Sequence, residues 1–364
     1  MSNFTTVENK CLHVYRKELD FKGIPLSGFM GGVVLGIEST AHTLSFGMVD
    51  LDGNVSDSYS NLFRPEEGGI HPREAADHHC SQVSNLLNGV TNSEMFKQNN
   101  VEAIAFSQGP GLGPCLRVGA SIARTLSKSW DIPLIGVNHC IAHIEIGRNQ
   151  TGCIDPVLLY VSGGNTQVIA KSREKYRVMG ETLDIGIGNM LDKFARNQGL
   201  PFPGGPKIEK LASEFTNNLD YEDKLIDLPY GVQGMDMGFS GMLTAAQRRV
   251  LAGDSLESIS WSLQEHAFAS CIEVAERAMA HTGKTELLLG GGVACNSRIR
   301  EMAQIMCEER GATAYWPEKK FCIDNGTMIA ELGRLLHNVG FKTSLEDSSI
   351  NPMLRTDHTK VIWD

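Results

Sequence analysis

Long hydrophobic runs are missing from this sequence: no stretch approaches the roughly 18–20 apolar residues of a membrane-crossing helix. Nor do the first 30 residues, which include the polar "HVYRKELDFK", contain the apolar segment of a secretory leader. The nine cysteines are scattered, with no C-x-x-C pair and no zinc-ribbon spacing. That excludes a cysteine-ligated zinc module and fits the reduced thiols of a cytoplasmic protein. Positive charge is scarce as well, with 33 Lys and Arg against 43 Asp and Glu, a net charge of -10 and no long basic run. Phosphate contacts and counterion release normally supply most nucleic-acid affinity, so a chain of this balance needs a local basic patch or partner subunits to hold a nucleic acid.

Two catalytic signatures fail by one residue each. "HTGKTE" contains Gly283-Lys284-Thr285, but a phosphate-binding P-loop needs glycine five positions before Gly283, and Ala278 stands there. The stretch reads as the C-terminal turn of a helix. In "GVNHCIAHIEIGR" (136–148), His139 and His143 lie four apart, so on a helix both imidazoles face one side. A zinc-peptidase helix needs Glu directly after the first histidine, and Cys140 takes that place.

What is present is a globular composition: 364 residues, 41% hydrophobic, 21% charged, with a mean hydropathy of -0.15. That length favours two lobes over one core. Residues 1–30 read as a loosely attached extension before the first strand, "GGVVLGIES". An internal echo organises the rest. "VVLGIESTAHTLSFGMVDLDGNVSDS" (33–58) and "VLLYVSGGNTQVIAKSREKYRVMGET" (157–182) each run strand, small polar turn, strand, turn, strand. In the first half, helix "PREAADHHCSQVSNLLNGV", strand "VEAIAFSQG" and a helix from about Arg117 to Trp130 follow. In the second half come a helix near 187–198, helices across 255–282, and strand "ELLLGGG" leading into a helix near Arg298. The expectation is an α/β protein of two duplicated lobes around a central cleft, lobe I at 31–150 and lobe II at 151–364 with helical insertions, the C-terminal helix free to return to lobe I. A single α/β sheet with coincidental hairpins is the alternative.

The small residues cluster where ligands bind. The turn Ser162-Gly163-Gly164-Asn165-Thr166 lets backbone N–H groups approach an anion, and Glu38-Ser39-Thr40 occupies the equivalent place in the first echo. Two such turns facing each other would bracket a nucleotide's phosphates; an ordinary β-turn is the plainer reading. In "LLLGGGVACNSRIR" (287–300) a glycine run separates an apolar strand from a helix whose start Asn296 and Ser297 mark, an arrangement that admits a flat ligand and favours anions. The glycine-rich "SQGPGLGPCLRVG" (107–119) is a weaker signal of the same kind. Asp192 and Glu209 flank "FPGGP" (202–206), a turn able to shape a pocket rim. His78 and His79 read as the polar face of a helix, with Asp77 and His78 as candidate substrate contacts. Asp324, in "FCIDNGTMIA", offers a carboxylate to accompany the two histidines, a donor set used by Fe(II) and Zn. A helix cap is its other reading, and spacing alone does not bring it to His139.

The stretches "FRPEEGGIHPREAADHH", "GVNHCIAHIEIGR", "LYVSGGNTQVIA", "GETLDIGIGNMLDKFAR", "FPGGPKIEKLA", "GMDMGFSGMLTAA", "GGGVACNSRIREM" and "FCIDNGTMIA", in this order, resemble the tRNA N6-adenosine threonylcarbamoyltransferase family. The likeness is to its archaeal and eukaryotic branch, which supplies the catalytic member of the KEOPS complex. It covers about residues 31–364, including the terminal "LRTDHTKVIW". The resemblance implies an actin-like ATPase fold (the ASKHA class). It implies transfer of threonylcarbamoyl from threonylcarbamoyl-AMP to the exocyclic amine of the adenosine 3′ of the anticodon in tRNAs reading ANN codons, with release of AMP.

By matched position the resemblance implies one divalent metal, Fe2+ or Zn2+, on His139, His143, Asp324 and Tyr160. It implies an adenylate site at Tyr160, Val161, Ser162, Gly163, Gly164, Asp192, Gly205, Glu209 and Asn296. No residue stands out as a general base. Some relatives carry a fused protein kinase after the catalytic domain; the present chain stops at Asp364, so the implied kinase is a separate small subunit, alongside a dimerising subunit and no membrane. Another actin-like phosphoryl- or carbamoyl-transferase is the alternative function.

Overall fold

A computed structural model describes residues 31–65, 69–217 and 225–364; the N-terminal extension expected at 1–30 lies outside the described residues. In chain order the elements are β1 (Gly31–Glu38), β2 (Thr43–Asp50), β3 (Tyr59–Leu62), α1 (Pro72–Asn92), α2 (Glu94–Gln98), β4 (Asn99–Gly109), α3 (Gly113–Trp130), β5 (Leu134–Asn138) and α4 (His139–Thr151). Then follow β6 (Val157–Val161), β7 (Thr166–Ser172), β8 (Lys175–Glu181), α5 (Ile187–Asn197), α6 (Gly205–Thr216), β9 (Val232–Gln233), β10 (Asp236–Met237), α7 (Ser240–Leu251) and α8 (Leu256–Thr282). The chain ends with β11 (Glu286–Gly290), α9 (Ser297–Glu309), β12 (Thr313–Tyr315), α10 (Lys319–Cys322) and α11 (Gly326–Asn338).

The chain divides into two units. One comprises the residues up to Ile146 together with Asp324–Asp364; the other is Gly147–Ile323. The first holds a five-stranded sheet in the order β3-β2-β1-β4-β5, the second a five-stranded sheet in the order β12-β11-β6-β7-β8. Read from the hairpin edge, both sheets follow one plan. An antiparallel meander comes first, and its opening strand then pairs in parallel with a later one: β1 with β4, and β6 with β11. The sequence echo is thus a structural repeat.

Parallel central strands are covered on both faces and therefore read as nearly unbroken apolar runs. Val33, Val34, Leu35 and Ile37 of β1 are fully buried, as are Val157, Leu158, Leu159 and Val161 of β6. The helices start and stop on local chemistry. Ser255 Oγ accepts from Ser258 N–H at 3.1 Å to open α8, and Gly283, at φ 71, closes it in the left-handed conformation. Gly283-Lys284-Thr285 is therefore a helix end, and Lys284 pairs with Asp155.

Three details differ from the expectations. The third strand of the first repeat is at Tyr59–Leu62; the stretch before it is a turn, with only Val55 bridging back to Val49. Helix α3 begins at Gly113 rather than near Arg117, because Pro114 sits in its first turn, where a missing N–H costs nothing. His79 is not on a polar face. It is fully buried, and its Nε2 meets the Ala41 carbonyl at 2.9 Å.

Two glycines seat α11 on the first sheet. A Cβ on Gly36 would lie 2.2 Å from the Ala330 nitrogen, and one on Gly47 would lie 2.4 Å from the Thr327 nitrogen. Only glycine lets the helix backbone come this near the strands. That contact joins residues after 324 to the first unit.

Candidate metal centre and substrate turns

Strand β5 runs directly into α4, so its end fixes where His139 begins. Asn138 Oδ1 accepts from the N–H groups of Cys140 (3.0 Å) and Ile141 (3.4 Å), capping the helix. One turn on, His143 stands over His139 with ring centroids 4.9 Å apart and planes at 85°. The Asp324 carboxylate comes from the loop ahead of α11. Its Oδ1 is 3.5 Å from His139 Nε2 and 3.3 Å from His143 Nε2. Asp324 is not the helix cap, because Asn325 takes that role by accepting from Met328 N–H at 2.9 Å. The candidate ligand atoms of His139, His143 and Asp324 all lie within 4.8 Å of one another.

Behind this trio stands Glu38, at the end of β1 and fully buried. Its Oε2 is 2.9 Å from His139 Nδ1, while Oε1 accepts from Thr40 N–H at 2.6 Å and from the Thr40 hydroxyl at 2.5 Å. Glu38 accepts, so the proton in this contact lies on His139 Nδ1, and Nε2 is the nitrogen turned toward Asp324. Carboxylate–histidine pairs of this kind orient and strengthen metal-binding imidazoles.

Without a metal the neighbouring carboxylates favour a second proton on His139, which a bound cation would displace from Nε2. Burial opposes charge on His139, yet Glu38 and Asp324 together outweigh it and raise its pKa to about 9. Burial lowers the pKa of His143, and the neighbouring His139 adds to that shift. Burial alone would raise Asp324, but His139 and His143 hold it well below the usual carboxylate range. Two carboxylates and two imidazoles in a water-poor site attract a cation, and two nitrogens with one oxygen suit Zn2+ or Fe2+. The residues fit a metal.

Tyr160 belongs to the second unit, at the end of β6, where it is 1% exposed and pairs with Gln167 and Gly290 across the sheet. The other sequence-predicted substrate residues belong to the same unit. Val161 ends β6 beside Gly291, whose φ of 91 lies in the left-handed region. A Cβ on Gly291 would come within 2.3 Å of the Val161 carbonyl oxygen, so no side chain fits there. The next turn closes through Ser162 N–H to the Asn165 carbonyl at 2.8 Å. It then docks on the start of α5 through Gly188 N–H to Ser162 O (3.1 Å) and Asn189 N–H to Gly163 O (2.9 Å). Gly163 and Gly164 are exposed, and their own N–H groups meet no acceptor among the described residues.

The rim residues each have structural work. Asp192 Oδ1 accepts from Gly204 N–H at 2.6 Å, fixing the bend ahead of Gly205. Glu209 Oε1 accepts from Ser297 N–H (2.8 Å) and its hydroxyl (2.7 Å) at the start of α9. Asn296 caps α9 by accepting from Arg298 N–H at 2.8 Å, and donates to Gln264 Oε1 at 2.8 Å.

The first-repeat turn at Glu38-Ser39-Thr40 is not an open anion nest. Thr40 N–H is taken by Glu38, and Ser39 N–H donates to Ser107 Oγ at 3.0 Å. His78, partly buried, lies 2.7 Å from Asn61 Oδ1. Sequence reasoning passed over Glu38 as the partner of His139. Its signal was a lone carboxylate ending the apolar strand "GGVVLGIE".

Comparison with known proteins places the chain. The family model described as tRNA N6-adenosine threonylcarbamoyltransferase matches residues 53–331. A protein of that name from Methanococcoides burtonii is 53% identical over 333 residues, which span 91% of this chain and 97% of that protein. A "Probable bifunctional tRNA threonylcarbamoyladenosine biosynthesis protein" from Thermoplasma volcanium is 50% identical over 331 residues; the match spans 91% of this chain and 61% of that longer protein. Among solved structures, the crystal structure of T. kodakarensis HypF superposes with a TM-score of 0.58 at 14% identity, covering 87% of this chain and 49% of that one. At that identity the likeness speaks for the fold, which is the actin-like α/β fold with its repeated sheet. The chain belongs to the tRNA N6-adenosine threonylcarbamoyltransferase family.

Proposed function

We propose that this chain transfers the threonylcarbamoyl group from threonylcarbamoyl-AMP to N6 of the adenosine 3′ of the anticodon in tRNAs reading ANN codons, releasing AMP. Beside family membership, the observation that carries this reading is the convergence of His139, His143 and Asp324 in front of the buried Glu38. The donor is a mixed anhydride, already activated, so the work left to the protein is binding, orientation and charge stabilisation.

In this reading one Fe2+ or Zn2+ is held by His139, His143 and Asp324, with Tyr160 as a further ligand. When bound, the metal supplies Lewis-acid polarisation of the threonylcarbamoyl oxygens. Glu38 keeps the His139 proton on Nδ1, so that Nε2 stays a donor. The exposed N–H groups of Gly163 and Gly164, with Val161 and Ser162 shaping the turn, receive the anionic part of the adenylate. Asp192 and Glu209 accept from its hydroxyls, and Gly205 and Asn296 line the same region. The acidic balance of the chain supports reliance on partners for tRNA docking: KEOPS-type subunits, including a separate small protein kinase and a dimerising subunit, in the cytoplasm. No helix among the described residues is long and apolar enough to cross a membrane.

The test is reconstitution with threonine, bicarbonate, ATP, an adenylate-forming enzyme and unmodified tRNA, with and without candidate subunits. Threonylcarbamoyladenosine in the digested tRNA, formed with AMP and lost in His139→Ala, is the expected result. Steady ADP production from a small acceptor with no modified nucleoside would overturn the reading in favour of another actin-like transferase.

A further inference from the structure

The segment after α11, residues 341–364, forms no long helix or strand, yet much of it is tied down. Thr343 N–H donates to the Leu134 carbonyl at 2.7 Å, and Thr343 Oγ1 accepts from Gly136 N–H at 2.9 Å, so the segment covers the outer edge of β5. Gln108 on β4 donates to the carbonyls of Asp347 and Ser349 at 2.8 Å each, and its own carbonyl accepts from Asn351 N–H at 2.8 Å. Arg124 on α3 grips the Ser348 hydroxyl and carbonyl at 2.7 and 2.5 Å. Ser348 is fully buried, and Thr356 and Val361 are 3% and 6% exposed. A strap that only shielded the sheet edge would need no more than this.

Its far end does something more specific. Asn138, 2% exposed, caps α4 with Oδ1 and turns Nδ2 toward the Arg355 carbonyl (3.3 Å) and Thr359 Oγ1 (3.4 Å). The amide orientation follows from its neighbours, since two N–H donors face one end and two oxygens face the other. Thr356 is a hydrogen-bond partner of the Cys140 thiol, so the same segment grips residues on both sides of His139. His139 must hold Nδ1 at 2.9 Å from Glu38 while Nε2 faces Asp324. A small rotation of the first turn of α4 breaks both at once.

We infer that the C-terminal segment acts as a brace for the metal site, with Asn138, Thr356 and Thr359 as positioning residues that set the pose of His139. The inference rests on the metal reading given above. It makes the affinity for the metal depend on side chains that lie outside the donor set.

The test measures Zn2+ affinity of the full chain by competition with a chromophoric chelator, beside the thermal midpoint. Asn138→Asp keeps the helix cap and loses the donor to the brace. The double variant Thr356→Val, Thr359→Val keeps shape and removes both hydroxyls. Each is expected to bind Zn2+ about tenfold more weakly, the lower end of the cost of removing a direct partner of a metal ligand, because these residues act on His139 through the first turn of α4. Asp184→Asn, which disturbs the loop ahead of α7 in the other unit, is the comparison: a lower midpoint with unchanged Zn2+ affinity. Affinities within twofold of wild type in both brace variants overturn the inference, whatever their midpoints. Should Asn138→Asp fail to fold, the threonine pair decides the matter alone. Wild-type protein that binds no Zn2+ overturns the metal reading itself, a separate result.

Discussion

At the scale of single residues, Glu38 and His79 show how burial turns ordinary side chains into devices. Glu38→Gln preserves size but replaces an acceptor-only group with an amide that can present either end to His139, so the tautomer is no longer enforced. Zn2+ affinity should fall about ten- to a hundredfold in a chelator competition, with far-UV circular dichroism unchanged. His79 behaves differently. Burial lowers its pKa from 6.5 to about 4; the Ala41 carbonyl and Glu38 pull it upward, and His78 and His42 push it down. Between these values the unfolded chain binds the proton and the folded chain does not. Its contribution to stability is therefore complete above about pH 6.5 and declines as pH falls toward 4, by at most about 1.4 kcal/mol per pH unit. Thermal midpoints across pH 7 to 5 should fall more steeply in wild type than in His79→Gln. The burial of His79 was legible, since Ala76, His79 and Val83 recur at helical spacing on one face. Treating His78 and His79 as one polar pair ignored that successive residues on a helix point in different directions.

At the scale of elements, strands and helices follow from local pattern, while their meeting does not. The two hairpins, the long α8 and the capped start of α9 all show in periodicity, cap residues and glycine stops. No spacing rule brings Asp324 to His143, 181 positions apart. What brings it there is the close seat of α11 against β1 and β2 at Gly36 and Gly47. In the sequence these are merely two glycines in strands, and their meaning depends on the helix that crosses them. Gly36→Ala tests this link. Its methyl group must displace helix backbone, a cost on the order of 1–3 kcal/mol or more. Both the thermal midpoint and Zn2+ affinity should drop, because Asp324 precedes the displaced helix by two residues. A variant with a lower midpoint and unaltered metal binding would refute the link. Helix α4 marks another limit of pattern reading. His139 through Ile146 are all buried, so it has no polar face by which a period could be recognised, and the four-residue spacing of its histidines is the one signal it offers.

At the scale of the whole molecule, the duplicated sheet was the most legible feature, because repetition survives errors in any one element. The third strand of the first repeat was displaced only because a turn separates it from β2. Division of labour between the repeats was harder to read. The small-residue turns look equivalent in sequence, but the first is closed by Glu38 and Ser107 and serves the histidine, while the second leaves Gly163 and Gly164 open. The difference is a carboxylate at the end of one strand and a hydroxyl on its neighbour.

The first unit is also discontinuous, since Gly147–Ile323 interrupts it. During synthesis His139 and His143 leave the ribosome long before Asp324, with the whole of the second unit made in between. The second unit is a continuous stretch and can close as it emerges, whereas the first must wait for its final helix. Until then the two imidazoles, with Glu38 behind His139, lack their carboxylate, so the full His139, His143 and Asp324 trio forms only once the last part of the chain has been made. If the centre takes a metal as proposed, its occupancy would record that synthesis has passed Asp324 and that the ends of an interrupted unit have found each other.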